Sequence, residues 1–367
     1  MVDTVNYASQ GTSPSLKSNP KEKQIYIPDL FSSIMSVKPT VNPNYFHVKS
    51  KGDAWITRVI QADEKWAQKN SKADMAYMAS IWAPTCDEEA LRVMLILFDD
   101  QFDEGHLSND LSAAQEELDV HLGIMENTQP RFKPEESPIR YCRKNDAVIA
   151  STAITPDIFP RQIRFPDDIG PSEQDLQHHW KEMHRRFFDG LLVQIKVTQD
   201  KRTLTRDVQE FLDMRRGTIA VYPVIALTGY AQGIELSPKI LEHASLQECM
   251  CVSADLALLV NDILSYKKDL ALGVDQNLIM LLKAKGLSTQ QAVDRMGTML
   301  DDCYKRWYTA LANMPAWGEK IDHKVLQFVD VCRNVALGNL YWSFKTGRYL
   351  GADGDKVHET RVMNLSY

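Results

Sequence analysis

Cysteine pairs at CxxC spacing are missing from this chain. Its six cysteines, Cys86, Cys142, Cys249, Cys251, Cys303 and Cys332, include no CxxC spacing and are spread over 367 residues. That excludes a disulfide-stapled scaffold and reads as buried thiols in a reducing compartment. A basic surplus is missing too. With 42 Lys+Arg against 49 Asp+Glu, the net charge is −7, so no nucleic-acid partner is indicated. An acidic chain can still bind an anionic substrate if bound cations supply the positive charge. The first 23 residues are polar, rich in Ser, Asn, Lys and Pro, and carry no apolar signal core, so they are expected to be mobile. Period-two alternation is scarce and no internal repeat stands out. Long apolar runs are also few: the longest uncharged one, residues 217–234, is broken by Pro223 and holds three glycines. It reads as a core helix near a ligand rather than a membrane span. The expectation is a cytoplasmic protein, a monomer or homodimer, without a membrane span.

What is present is helical rhythm. Hydrophobic residues make up 44% of the chain, enough for a large core. Residues 25–37 carry apolar side chains around Pro28 and are expected to pack as an extended N-terminal strap, and 41–46 reads as a turn. From Asp53 onward, 3.6-residue periodicity predicts helices over 54–68, 73–81, 87–104, 108–125 and 144–153, then 172–197 and 203–216. Ser237-Pro238 opens a short helix. The longest apolar helical segment, 246–272, ends at Gly273 as a C-cap, and helices over 276–285, 289–313 and 322–345 follow. The fold class expected is all-α, a single-domain helical bundle over residues 24–350 with a central cavity, followed by a C-terminal tail at 351–367.

Two oxygen-rich stretches interrupt apolar helices. The first, LRVMLILFDDQFDE at 91–104, crowds Asp99, Asp100, Asp103 and Glu104 behind a buried-looking run. Asp99 and Asp103 fall one turn apart on one helix face, where like charges repel. Burying them is costly unless a cation sits between them. Asp-Asp pairs alone say little, since Asp167-Asp168 and Asp301-Asp302 also occur and an exposed helix end is the plain alternative. In the second stretch, Asn261, Ser265 and Asp269 recur at i, i+4 and i+8, one stripe of a helix whose earlier turns are mostly Leu, Ala and Val. All three offer hard oxygen atoms, which suit Mg²⁺ better than a soft metal. The alternative is a polar stripe satisfied by a neighbouring helix. A third group can donate to phosphate oxygens: Arg215, Arg216, Lys268, Arg348 and the neutral Tyr349. An isolated Arg more often makes a surface ion pair.

Together these motifs resemble class I terpene synthases, and in particular the fungal sesquiterpene synthase group. Asp99-Asp100-x-x-Asp103 is similar to the family's aspartate-rich motif. Asn261, Asp262, Ser265 and Asp269 match its Asn-Asp-x-x-Ser-x-x-x-Glu motif, with Asp in place of the final Glu. The family's diphosphate-sensing Arg lies some 46 residues before that motif; Arg215 (261 − 215 = 46) and Arg216 (261 − 216 = 45) both qualify. The family's small residue four beyond the sensor tips the choice slightly to Arg216, which puts Ala220 there. Lys268 and the pair Arg348-Tyr349 match further positions, as do Ile27-Pro28-Asp29 and Asn42-Pro43, so the likeness spans about residues 25–350.

The resemblance implies a lyase dependent on Mg²⁺, with three ions, that ionises farnesyl diphosphate and directs the cation to a sesquiterpene, cyclic in the expected case. Geranyl and geranylgeranyl diphosphate are the alternative substrates. Asp99, Asp103, Asn261, Ser265 and Asp269 would ligate metal. Arg215 or Arg216, Lys268, Arg348 and Tyr349 would hold the diphosphate, and Asp100 would pair with Arg348 on closure. Phe98, Phe102, Tyr230 and Trp342 are candidates for the cavity wall. Two other readings remain: a chain-elongating prenyl diphosphate synthase, which would carry two Asp-rich motifs, and a non-catalytic isoprenoid-binding helical protein.

Overall fold

The computed structural model describes residues 23–59, 62–93, 110–126, 128, 173–200, 207–274 and 276–366. Within them the chain is a bundle of helices, as the periodicity predicts. They are α1 (Tyr45–Val59), α2 (Glu64–Ala73), α3 (Met75–Trp82), α4 (Glu88–Val93), α5 (Leu111–Met125), α6 (Glu173–Gln199) and α7 (Val208–Thr218). There follow α8 (Val221–Ala231), α9 (Pro238–Leu241), α10 (Ala244–Leu272), α11 (Leu278–Ala284), α12 (Thr289–Ala312), α13 (Glu319–Lys345) and α14 (Gly354–Thr360).

The middle of the bundle is α10. It packs on α12 and α13 and also touches α7, α8 and α11. Leu246, Cys249, Met250, Val252, Leu256, Leu258, Ile263 and Leu264 are all buried. The helix is long and apolar enough to cross a membrane, but its apolar window is buried among the other helices, as a core helix requires. It ends at Gly273, whose φ of +68° an L side chain would resist. The N-terminus of α12 carries a reciprocal capping box between Ser288 and Gln291.

Several boundaries differ from the sequence expectation, and three of them have a clear local reason. First, the turn expected over 41–46 is confined to its first residues. The Asn42 amide donates to the Ala83 and Cys86 carbonyls at 2.8 Å, and its oxygen accepts from Asn44 N, so α1 starts at Tyr45. Second, the single helix expected over 54–68 is two, because Asp63 caps α2 by accepting from Trp66 N. Third, the uncharged run breaks at Ala220, with φ +58°, rather than at Pro223. Pro223 sits in the first turn of α8, where its missing N–H costs no intrahelical bond.

The chain ends are tied together. Residues 24–26 form β1 (Gln24–Tyr26), which pairs antiparallel with β2 (Val362–Asn364), placing Ile25 opposite Met363. The strap then buries Ile27 and Leu30, and Phe31 rests against Tyr341, Phe344 and His358 at ring distances of 5.3, 5.2 and 4.2 Å. Residues 351–366, expected as a tail, are thus packed on the body through α14 and β2.

One contact sets how closely α6 approaches α7. A Cβ on Gly190 would stand 2.7 Å from the carbonyl carbon of Gly217, which is backbone and cannot yield as a side chain can. Gly190→Ala is therefore expected to lower the unfolding temperature. Overpacking of about 1–3 kcal/mol outweighs the ~1 kcal/mol that Ala gains in helix propensity. Thermal denaturation checks this, and an unchanged or raised midpoint would rule out the close approach.

Candidate active site

Three segments meet at one end of the bundle: the C-terminal turn of α7, the second half of α10, and the turn after α13. The stripe predicted on α10 is present. Ser265 Oγ donates to Asp269 Oδ2 at 2.6 Å, and both residues are buried. Asn261, one turn earlier and half-buried, donates through Nδ2 to the Tyr349 hydroxyl at 2.9 Å. Its oxygen lies 3.4 Å from a terminal nitrogen of Arg215. That nitrogen also donates to Asp262 Oδ1 at 3.0 Å, and the other terminal nitrogen donates to Thr218 Oγ1 at 3.2 Å.

The structure separates Arg215 from Arg216. Neighbouring helical residues point about 100° apart, and here only Arg215 touches the stripe. Arg216 forms a fork on Asp255, Nε to Oδ1 at 2.6 Å and a terminal nitrogen to Oδ2 at 2.9 Å, and it also bonds Asp213. Burial alone would lower the pKa of Arg216, but the hydrogen bond and charge of Asp255 carry it upward. The preference for Arg216 rested on Ala220, but the geometry sets Arg215 beside Asn261.

Asp262 is the buried hinge of the cluster. Burial raises its pKa, opposed by Arg215 and by the backbone N–H of Leu278, which donates to Oδ2 at 2.7 Å. Asn277, fully buried at the N-cap of α11, was not among the candidate residues. Its oxygen accepts from Ile279 N. Its amide donates to Asp269 Oδ2 at 2.9 Å and to the Asp262 carbonyl at 2.8 Å. In the sequence it falls inside the helix expected over 276–285 and carries no signal of a site.

On the far side, burial raises the Tyr349 pKa, while the nearby Arg348 and Lys268 charges and a hydrogen bond from Arg348 pull it down. Arg348 thus bonds the Tyr349 hydroxyl, and the Lys268 charge is felt there. The Arg348 guanidinium lies 6.0 Å from the Trp342 ring centre, and Trp342 meets Tyr349 edge to face at 5.6 Å. Trp342 is buried and donates its indole N–H to the Ala73 carbonyl at 2.6 Å. Tyr230 is on α8, which packs on both α10 and α13. It lies near the C-terminal end of α8, roughly 13 Å along the helix from Val221 at 1.5 Å per residue. Asp99, Asp100, Asp103, Phe98 and Phe102 lie outside the described residues.

The α10 donors fit a hard divalent cation: an amide, a hydroxyl and a carboxylate on one stripe, with no sulfur or imidazole among them. Among the described residues no group of three His, Cys, Asp or Glu forms a metal site by itself. A mixed Asn/Ser/Asp stripe is a different kind of donor set, with Arg and Lys beside it for the oxygens of an anion.

Residues 91–306 match the terpene synthase family 2, C-terminal metal-binding family. The chain belongs to the terpene synthases. It is 44% identical over 351 residues to (1R,4R,5S)-(-)-guaia-6,10(14)-diene synthase of Fusarium proliferatum, covering 92% of this chain and 84% of that one. It is 43% identical over 351 residues, with the same coverage, to a Gibberella fujikuroi protein named as an inactive form of that synthase. In fold, this terpene synthase resembles a solved α-eudesmol synthase with a TM-score of 0.69 at 18% identity, covering 84% of this chain and 96% of the other. The family match includes Arg215, Asp255, the α10 stripe and Arg306, and it ends before Arg348-Tyr349.

Proposed function

We propose that this terpene synthase ionises farnesyl diphosphate with Mg²⁺ and guides the carbocation to a sesquiterpene. The observation that carries this is the meeting of Arg215, the Asn261–Ser265–Asp269 stripe and the Lys268/Arg348/Tyr349 group at one end of the bundle. Asn261, Ser265 and Asp269 would hold divalent cations from one rim, and Asp99 and Asp103 from the other, with three ions in the full site. Bound Mg²⁺ supplies Lewis-acid stabilisation of the departing diphosphate.

The protein's own groups do the rest. Arg215, Lys268 and Arg348 donate to the diphosphate oxygens and neutralise charge as the C–O bond breaks. Tyr349 is already ordered by Asn261 and Arg348, so its hydroxyl is aimed before substrate arrives. Asp100 would pair with Arg348 on closure, tightening the lid over the cation. Trp342, packed perpendicular to the Tyr349 ring, would supply a π surface to the cation.

Similarity alone does not guarantee turnover, since one relative is named as inactive. The deciding experiment is incubation with Mg²⁺ and each of geranyl, farnesyl and geranylgeranyl diphosphate, read by gas chromatography–mass spectrometry and diphosphate release. Farnesyl diphosphate is expected to give a volatile sesquiterpene. No product and no diphosphate from any of the three would leave an isoprenoid-binding protein instead. Trp342→Leu is expected to change the ratio of products more than substrate consumption, because a ring face worth roughly 0.5–2 kcal/mol is lost from the cation's path. An unchanged product profile would remove Trp342 from the wall.

A further inference from the structure

Behind Arg216 lies an ion-pair cluster that the diphosphate reading leaves unused. Asp255 is buried on α10, its side chain 3% exposed, between guanidinium groups from two other helices. Arg216 of α7 holds both of its oxygens, and Arg306 of α12 donates to Oδ2 at 2.6 Å. Arg306 reaches on to Glu248 Oε1 at 2.5 Å and to Cys251 Sγ at 3.3 Å. Asp255 and Asp262 are seven residues apart, two turns, so they share a face of α10. The end of α7 is therefore fastened to α10 at two rungs, Arg216 to Asp255 and Arg215 to Asp262.

We propose that Asp255 is a positioning residue for diphosphate capture, fixing the register and rotation of α7 so that Arg215 meets Asn261 and Asp262. The inference rests on the reading of this end of the bundle as the diphosphate site. The two rungs have different jobs. Arg215 must exchange protein contacts for substrate oxygens, so it cannot also be the anchor. Arg216 turns away from the donor stripe to Asp255 and Asp213 and is held by a carboxylate that is itself gripped from α12. A buried ion pair is a poor way to stabilise a core, since apolar replacements often do as well. It is a good way to fix one geometry, because a guanidinium fork on a carboxylate is directional. The backbone contact of Gly190 with Gly217 limits the same turn from the α6 side.

The test uses the full-length protein and three variants: Asp255→Asn, Asp255→Glu and Arg306→Met. Calorimetry measures the affinity for inorganic pyrophosphate in the presence of Mg²⁺. Steady-state kinetics with farnesyl diphosphate separate KM from kcat, and circular dichroism establishes that each variant is folded. Misplacing a binding group by about 1 Å costs up to a hundredfold, so folded Asp255→Asn should bind pyrophosphate about ten- to a hundredfold more weakly. Asp255→Glu should recover most of that loss. A role in stability alone would lower the unfolding temperature and leave the folded protein with wild-type pyrophosphate affinity; that result overturns the proposal. If Asp255→Asn does not fold, Arg306→Met decides, because it loosens Asp255 while leaving the Arg216 fork in place. A several-fold weaker affinity supports the proposal and an unchanged one overturns it. Wild-type protein that takes up no pyrophosphate with Mg²⁺ would instead overturn the diphosphate reading beneath it.

Discussion

Arg215→Met is expected to give a folded protein that releases diphosphate about a hundredfold or more slowly than wild type, the scale of losing a preorganised donor to developing charge. Arg216→Met, one residue away, is expected to lose less activity and more stability. The reason is what each guanidinium touches. Arg215 lies against Asn261 and Asp262, at the edge of the donor stripe. Removing it leaves Asp262 with the Leu278 N–H, and burial already raises the Asp262 pKa, so proton uptake limits the cost of the lost partner. Arg216 makes the fork on buried Asp255. Breaking a buried pair costs about 3–5 kcal/mol when the remaining charge is unpaired, and less here because Arg306 stays. A lower unfolding midpoint with roughly tenfold slower turnover is the expected outcome for Arg216→Met. The reverse ranking, with Arg216→Met the less active of the two, would return the sensor role to Arg216.

Much of this site can be read from spacing, and what cannot has a physical reason. Asn261, Ser265 and Asp269 stand out because three oxygen-bearing side chains at four-residue intervals must share a stripe on an otherwise apolar helix. Gly273 marks the end of that helix for an equally local reason, its positive φ. The choice between Arg215 and Arg216 is different. Both fit the spacing, and only the position of α10 beside α7 decides which one faces Asn261. Asp255 is hidden for the same reason: one acid among four on α10 points to a partner without naming it, and Arg306 arrives from another helix. Asn277 is missed because it falls inside the helix expected over 276–285, and only the structure sets it at the N-cap with its amide on Asp269. The β1–β2 pairing joins three-residue strands from opposite ends of the chain, too short to show alternation. The all-helical class, by contrast, follows from periodicity repeated over long segments.

The second large effect is expected at the Ser265–Asp269–Asn277 unit. Ser265→Ala removes a donor oxygen from the stripe and a 2.6 Å bond to Asp269 Oδ2. Diphosphate release is expected to fall about a hundredfold or more, with little change in unfolding temperature, because Asp269 Oδ2 retains the Asn277 amide. Asn277→Ala is expected to act in the other order. Its side chain touches no substrate, but it holds the Asp269 carboxylate, bonds the Asp262 carbonyl and caps α11. Losing a buried hub of this kind should cost about 1–3 kcal/mol in stability. It should also weaken Mg²⁺ affinity about ten- to a hundredfold, as removal of a group that orients a ligand usually does. A Mg²⁺ titration of diphosphate release at saturating substrate, set beside thermal unfolding, separates the two cases. Ser265→Ala should keep a low maximal rate at every Mg²⁺ concentration, whereas folded Asn277→Ala should recover much of its rate as Mg²⁺ is raised. If Asn277→Ala titrates like wild type, Asp269 does not depend on that amide for its orientation, and Asn277 serves the fold through α11 alone.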